Sequence, residues 1–171
     1  MPEIVVIVHN IRSTHNVGSI FRTCEGFGVK KIILSGYTPY PMLPIQSQGS
    51  YPLDGRLPHI VEKLTRQIHK TALGAETLVP FVHYDTLDLA CPELAGYTIV
   101  ALEQSENSIM LRDYQPPEKI ALLIGEEVHG ITPSLLAQCH DVIEIPMQGQ
   151  KESFNVSVAA GIALYQLTHQ V

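Results

Sequence analysis

The sequence predicts an α/β fold, a parallel doubly wound sheet of about six strands. Three observations lead there. Short runs rich in Val and Ile recur, such as IVVIV and IALLI; continuous apolar runs suit strands covered on both faces. Amphipathic helix patterns separate them, giving the alternation of βαβ units. No repeat, low-complexity tract or linker interrupts the pattern, and 171 residues suit one domain, 1–171.

The elements follow in order. Ile4–Val8 is the first strand, and the polar loop HNIRSTHN leads from it into a helix over Val17–Phe27. Val17, Ile20, Phe21 and Cys24 form that helix's apolar stripe, and Gly28 ends it. Lys31–Leu34 is the second strand. The Pro-, Gly- and Tyr-rich stretch Gly36–Pro58 is long enough to expect a functional loop. A helix is predicted over His59–Thr71, a strand over Leu78–Tyr84, a helix over Thr86–Leu94 and a strand over Tyr97–Leu102. Ile120–Ile124 is a strand, followed by GEEVHG, a short helix PSLLAQC and a last strand Val142–Ile145. The chain then passes through the polar segment Gln148–Asn155 into a strongly apolar helix.

Composition narrows the classes. No apolar run reaches the roughly 18 residues of a membrane span. The first residues lack the basic n-region of a signal peptide, so a cytoplasmic location is expected. Three cysteines without CxxC spacing argue against a disulfide framework or zinc site, and no metal is expected from the scattered histidines. A net charge of −6 gives no global reason for nucleic-acid binding, so that case must be local.

Ligands of open α/β sheets sit beyond the carboxyl ends of the strands. Four polar loops fall there: HNIRSTHN, EQSENS, GEEVHG and PMQGQKESFN. Asn16 can cap the first helix. Arg22 can pair with Glu25 at i, i+3, or stand at a site edge and bind phosphate, with Gly18 leaving room beside it. GEEVHG has the outer glycines of a P-loop but Ile131 where the lysine belongs, so no phosphate cradle is expected. Its carboxylates can cap a turn, or meet magnesium or a cationic ligand. His59, Lys63, Arg66 and Lys70 share one helix face, either solvated or phosphate-binding. The last helix is apolar most of the way round, which fits burial on one side by its own chain and on the other by a second subunit. Ser153 can cap it.

Three stretches taken together resemble the SpoU (TrmH-like) branch of the SPOUT RNA methyltransferases. NVGSIFRTCEGFG resembles its N-x-G-x-x-x-R-T motif, and LLIGEEVHGIT its G-x-E-x-x-G motif. IPMQGQKESFNVSVAAGIALYQL is similar to I-P-M-x-G-x-x-x-S-L-N-V-S-V-A. The resemblance implies S-adenosylmethionine-dependent 2′-O-methylation of a ribose in tRNA or rRNA. It also implies a homodimer through the C-terminal helix, and a C-terminal trefoil knot holding the cofactor. A non-catalytic or base-directed RNA-binding member is the alternative. By motif match Asn16, Arg22, Glu127, Ser153 and Asn155 would line the catalytic centre. Leu102, Gly125, Ile145, Met147, Ser153 and Phe154 would surround the cofactor; Phe154 stands where the family usually has leucine. Arg12, Arg22, Lys63, Arg66 and Lys70 are the expected RNA contacts. A dinucleotide-binding dehydrogenase is disfavoured, because no GxGxxG follows a strand.

Overall fold

The β-branched runs form strands β1 (Glu3–His9), β2 (Lys31–Ser35), β3 (Phe81–Tyr84), β4 (Thr98–Leu102), β6 (Lys119–Ile124) and β7 (Asp141–Glu144). A two-residue strand, β5 (Ile109–Met110), makes seven. They build one sheet in the order β3-β2-β1-β6-β4-β7-β5, and every pairing is parallel. The structure is a computed structural model that describes residues 1–43 and 54–169; the middle of the loop expected over Gly36–Pro58 lies outside them.

The strands alternate between two apolar layers. Ile4, Val6 and Val8 of β1 face one layer, with α1 (Thr14–Gly26), α2 (Pro58–Ala72) and α5 (Val156–His169). Val5 and Ile7 face the other. Among the described residues that second layer has no long helix. Leu89, Leu94 and Ile131 cover it from turns, beside the short helix α4 (Pro133–Leu136). Because the sheet is parallel, the loops after β1, β4, β6 and β7 emerge at one edge.

Helix α1 packs closely on α2 because of Gly18. A methyl group there would overlap Thr71 Oγ1 and the Ile68 carbonyl oxygen, and would stand 3.0 Å from the Ala72 nitrogen. Gly18 therefore makes room for a helix backbone, not for Arg22. The hydroxyl of Thr71 also donates to the His15 carbonyl at 2.8 Å, fixing the start of α1 to the end of α2.

Several local expectations change. Thr86–Leu94 is not a helix: Asp88 turns its carboxylate onto the Ala90 N–H at 2.9 Å, and only Pro92–Leu94 makes a 3₁₀ turn. Ala75–Leu78 is a helical turn (α3), so β3 begins after Pro80. In PSLLAQC only Pro133–Leu136 is helical. The N-cap of α1 is Ser13, whose hydroxyl accepts from the Asn16 N–H at 3.2 Å. The cap of α5 is Asn155 rather than Ser153, with its Oδ1 3.0 Å from the Ser157 nitrogen. Among the described residues no helix is long and apolar enough to cross a membrane, and no cluster of three His, Cys, Asp or Glu could hold a metal.

Candidate active site at the carboxyl edge of the sheet

The loops after β4, β6 and β7 enclose a cavity of about 510 Å³, a size suited to a cofactor-sized molecule. Leu102 and Glu103 come from the end of β4, Gly125–Gly130 follow β6, and Glu144 and Ile145 end β7. Residues Glu152–Val156 and Ala159, leading into α5, close the remaining wall. Its apolar lining comes from Leu102, Ile124, Ile145, Val156 and Ala159. The lining also includes Glu103, Glu126, Glu127, Glu144 and Glu152. Such a lining suits a ligand with a flat apolar part and a cationic part.

Glu103 holds the rim. Its Oε2 accepts from the Ile131 N–H at 2.8 Å and its Oε1 from the Gln104 N–H at 2.9 Å. Gly130 lies against the same carboxylate with φ +66°, a backbone form that glycine tolerates. Gln104 Nε2 in turn donates to the Glu152 carbonyl at 2.8 Å, joining the loop after β4 to the loop after β7.

A chain of polar contacts links the first, second and third motif stretches. Glu127 Oε1 accepts from Asn16 Nδ2 at 3.1 Å, and Asn16 Oδ1 accepts from Asn155 Nδ2 at 3.2 Å. The Arg12 N–H donates to Glu127 Oε2 at 3.3 Å. Glu126, only 14% exposed in its side chain, takes the Arg12 guanidinium at 3.3 Å and His129 Nδ1 at 3.1 Å. A hydrogen bond with Tyr37, and then the charge of Glu126, raise the pKa of the Arg12 guanidinium.

The predicted site residues divide. Asn16, Glu127 and Asn155 are brought together, and Ser153 shares the cavity wall with the last two. Leu102, Gly125, Ile145 and Phe154 line the cavity, whereas Met147 is not among its lining residues. Arg22 is exposed on α1, does not line the cavity, and has no ion pair or hydrogen bond among the described residues; its expected pairing with Glu25 does not form. Lys63 and Lys70 lie exposed on α2, while Arg66 pairs with Glu62 at 2.9 Å. Sequence reasoning missed Glu103 and Gln104 as rim residues. Their signal is position, since both directly follow a strand's carboxyl end.

A family model described as the SpoU rRNA Methylase family matches residues 3–46 and 57–165. A tRNA (guanosine(18)-2′-O)-methyltransferase of Aquifex aeolicus is 29% identical over 98% of this chain and 70% of its own length. A 23S rRNA (guanosine-2′-O-)-methyltransferase, RlmB, of Coxiella burnetii is 26% identical over 99% of this chain, which spans 59% of that enzyme. The AdoMet-bound rRNA methyltransferase of Sinorhizobium meliloti superposes with a TM-score of 0.74 at 24% identity, over 96% of this chain and 55% of that one. The last likeness concerns the fold.

Proposed function

Because the chain belongs to the SpoU rRNA methylase family, we propose that it methylates a ribose 2′-hydroxyl of tRNA or rRNA, with S-adenosylmethionine as cofactor. The observation that carries this reading is the contact chain Glu127–Asn16–Asn155, whose two ends, Glu127 and Asn155, line the carboxyl-edge cavity. It joins three distant stretches of sequence at the one place where a ligand of this fold binds.

The cavity residues suit the cofactor. Leu102, Ile124 and Ile145 offer apolar surface for an adenine ring, and the carboxylates in the lining favour a positively charged sulfonium. When bound, the cofactor supplies an electrophilic methyl carbon: an O–CH₃ bond forms, an S–CH₃ bond breaks, and the hydroxyl proton leaves to solvent. This chain's residues position the hydroxyl and favour its developing negative charge. Arg22 is the cation for that task. A guanidinium is a poor base at neutral pH, so its role is electrostatic, holding a phosphate or the attacking oxygen. Ser153 orients the cofactor-side loop, Asn155 and Asn16 the substrate side, and Glu127 keeps both amides turned inward.

The active unit is a homodimer in the cytoplasm. Val158, Ile162 and Tyr165 lie 50%, 37% and 58% exposed along the outer face of α5, an apolar stripe suited to a second copy. Arg22 stands outside its own cavity on the helix that packs against α5, so in such a dimer it serves the neighbouring cavity. The trefoil knot belongs to the same reading. Gln104 clasps the segment leading into α5, while Leu111 and Tyr114, beyond β5, share the core layer of Ala160 and Leu164.

The test is transfer of tritiated methyl groups from S-adenosylmethionine to total tRNA and rRNA, with mass mapping of the product nucleoside. A 2′-O-methylnucleoside supports the reading, and a base-methylated product or no transfer overturns it.

A further inference from the structure

A second groove, of about 700 Å³, opens beside the β1–α1 loop. Arg12, Tyr37, Tyr40, Leu64, Gln67 and His83 are among the residues lining it. Arg12 belongs to both regions, since it lines the groove and also contacts Glu126 and Glu127 at the cavity rim. We propose that this groove is a subsite for RNA adjoining the target ribose, in which Tyr37 stacks a neighbouring base and Arg12 meets its phosphate. The proposal rests on the RNA reading above.

The groove is built rather than incidental. The Tyr37 N–H donates to Asn10 Oδ1 at 3.2 Å, which fixes the backbone that carries the ring. The buried hydroxyl of Thr38 lies 2.8 Å from the Ser35 carbonyl and accepts from the Ile11 N–H at 3.1 Å. These bonds tie the loop after β2 to the loop after β1. On the far wall, Tyr40 is sandwiched. Its ring stacks on His83 at 3.9 Å, and the Arg56 guanidinium lies 3.4 Å from its centre. Arg56 is itself anchored to Asp54 and to the carbonyls of Tyr40 and Pro41.

Tyr37 is left open. It is 50% exposed, and among the described residues its one ring contact is the Arg12 guanidinium, 5.6 Å from the centre. An anchored aromatic ring beside a cation is how proteins hold unpaired bases of single-stranded RNA. Asp85 also lines the groove, so its charge is mixed. Arg56 pairs with Asp54, and Gln67 shares its helix face with Lys63 and Lys70, four residues before and three after. That face extends the groove into a track for further phosphates.

The test uses the whole protein, with end-labelled total tRNA and rRNA as the probe in filter retention. Tyr37→Ala should weaken retention roughly 5- to 150-fold, the range for one lost base stack. Tyr37→Phe should keep it, and Gln67→Glu, a carboxylate in the track, should weaken it. In methyl transfer, Tyr37→Ala should raise the RNA KM more than it lowers kcat, with cofactor affinity by calorimetry unchanged. Unaltered retention in Tyr37→Ala sinks the subsite, as does a failure of the wild-type protein to retain RNA. Displacement of RNA by micromolar GMP would also overturn it, marking a free-nucleotide site. Wild-type retention without methyl transfer would overturn the catalytic reading alone.

Discussion

The side-chain amide of Asn155 donates to that of Asn16 at 3.2 Å across 139 positions of sequence, and its own Oδ1 accepts from the Ser157 N–H and hydroxyl at 3.0 and 2.7 Å. One residue thus caps α5 and closes the polar chain of the site. Asn155→Ala should cost about 1 kcal/mol in chemical denaturation, the usual loss for a cap, and should depress methyl transfer. Asn155→Asp keeps the capping oxygen but cannot donate to Asn16. It should regain most of the stability and little of the activity. Equal recovery of both would show that the Asn16 contact has no catalytic importance.

Arg22 has no partner among the described residues, so its removal leaves no orphaned charge. Arg22→Ala should lower kcat by about 10²–10³, the scale for one lost electrostatic contact in a transition state. Thermal stability and cofactor affinity should stay near wild type. Mixing Arg22→Ala with Asn155→Ala subunits should restore part of the activity, because one of the two cavities in a mixed dimer would be intact. No restoration in mixed dimers would place Arg22 in its own chain's site.

Gly18→Ala opposes two effects. Alanine favours helix by up to about 1 kcal/mol over glycine, but here the methyl group meets the Ile68 carbonyl and Thr71 hydroxyl of α2. Separating two packed helices costs about 1–3 kcal/mol, so the variant should denature at lower urea concentration. A more stable variant would mean that α1 and α2 are not in this contact.

Gly130→Ala strains a backbone at φ +66° and pushes a methyl group into the Glu103 carboxylate. The rim held by Glu103 should loosen, and cofactor affinity should fall about tenfold or more, an effect comparable to one lost charge-assisted hydrogen bond. Calorimetry with S-adenosylmethionine reads this directly; unchanged affinity would remove the rim from the cofactor site.

Stability should decline on mild acidification. Burial lowers the pKa of His9 and of His83 from the usual 6.5, so both rings prefer to stay neutral in the fold. The unfolded chain then binds more protons, and stability present above pH 6.5 is lost as pH falls toward the lowered values. Melting temperature followed from pH 8 to 5 should drop, and His9→Gln with His83→Gln should flatten the slope. The same slope in the double variant would assign the loss to other groups.

The fold was legible because its signals are local. Runs such as IVVIV and IALLI bury on both faces, and α1 and α2 carry their apolar stripes in 3.6-residue period. The strand β5 was not legible, since two residues carry no period. The Thr86–Leu94 helix failed because Asp88 supplies a competing turn and Pro92 breaks continuity. At the candidate site, motif matching picked out Asn16, Glu127 and Asn155, which the structure joins by hydrogen bonds. It could not foresee that Asn155 would displace Ser153 as cap, or that Gly18 would serve a helix contact. Those facts depend on which backbone lies opposite, and a single sequence does not state that.

The double duty of Asn155 also bears on synthesis. Chains emerge from the ribosome amino end first, and domains fold as their parts arrive. Strands β1, β2 and β6, with their helices, can pair while later residues are still being added. The polar chain cannot close until Asn155 has emerged and α5 has somewhere to dock. The Asn16–Asn155 contact therefore forms only once α5 has docked.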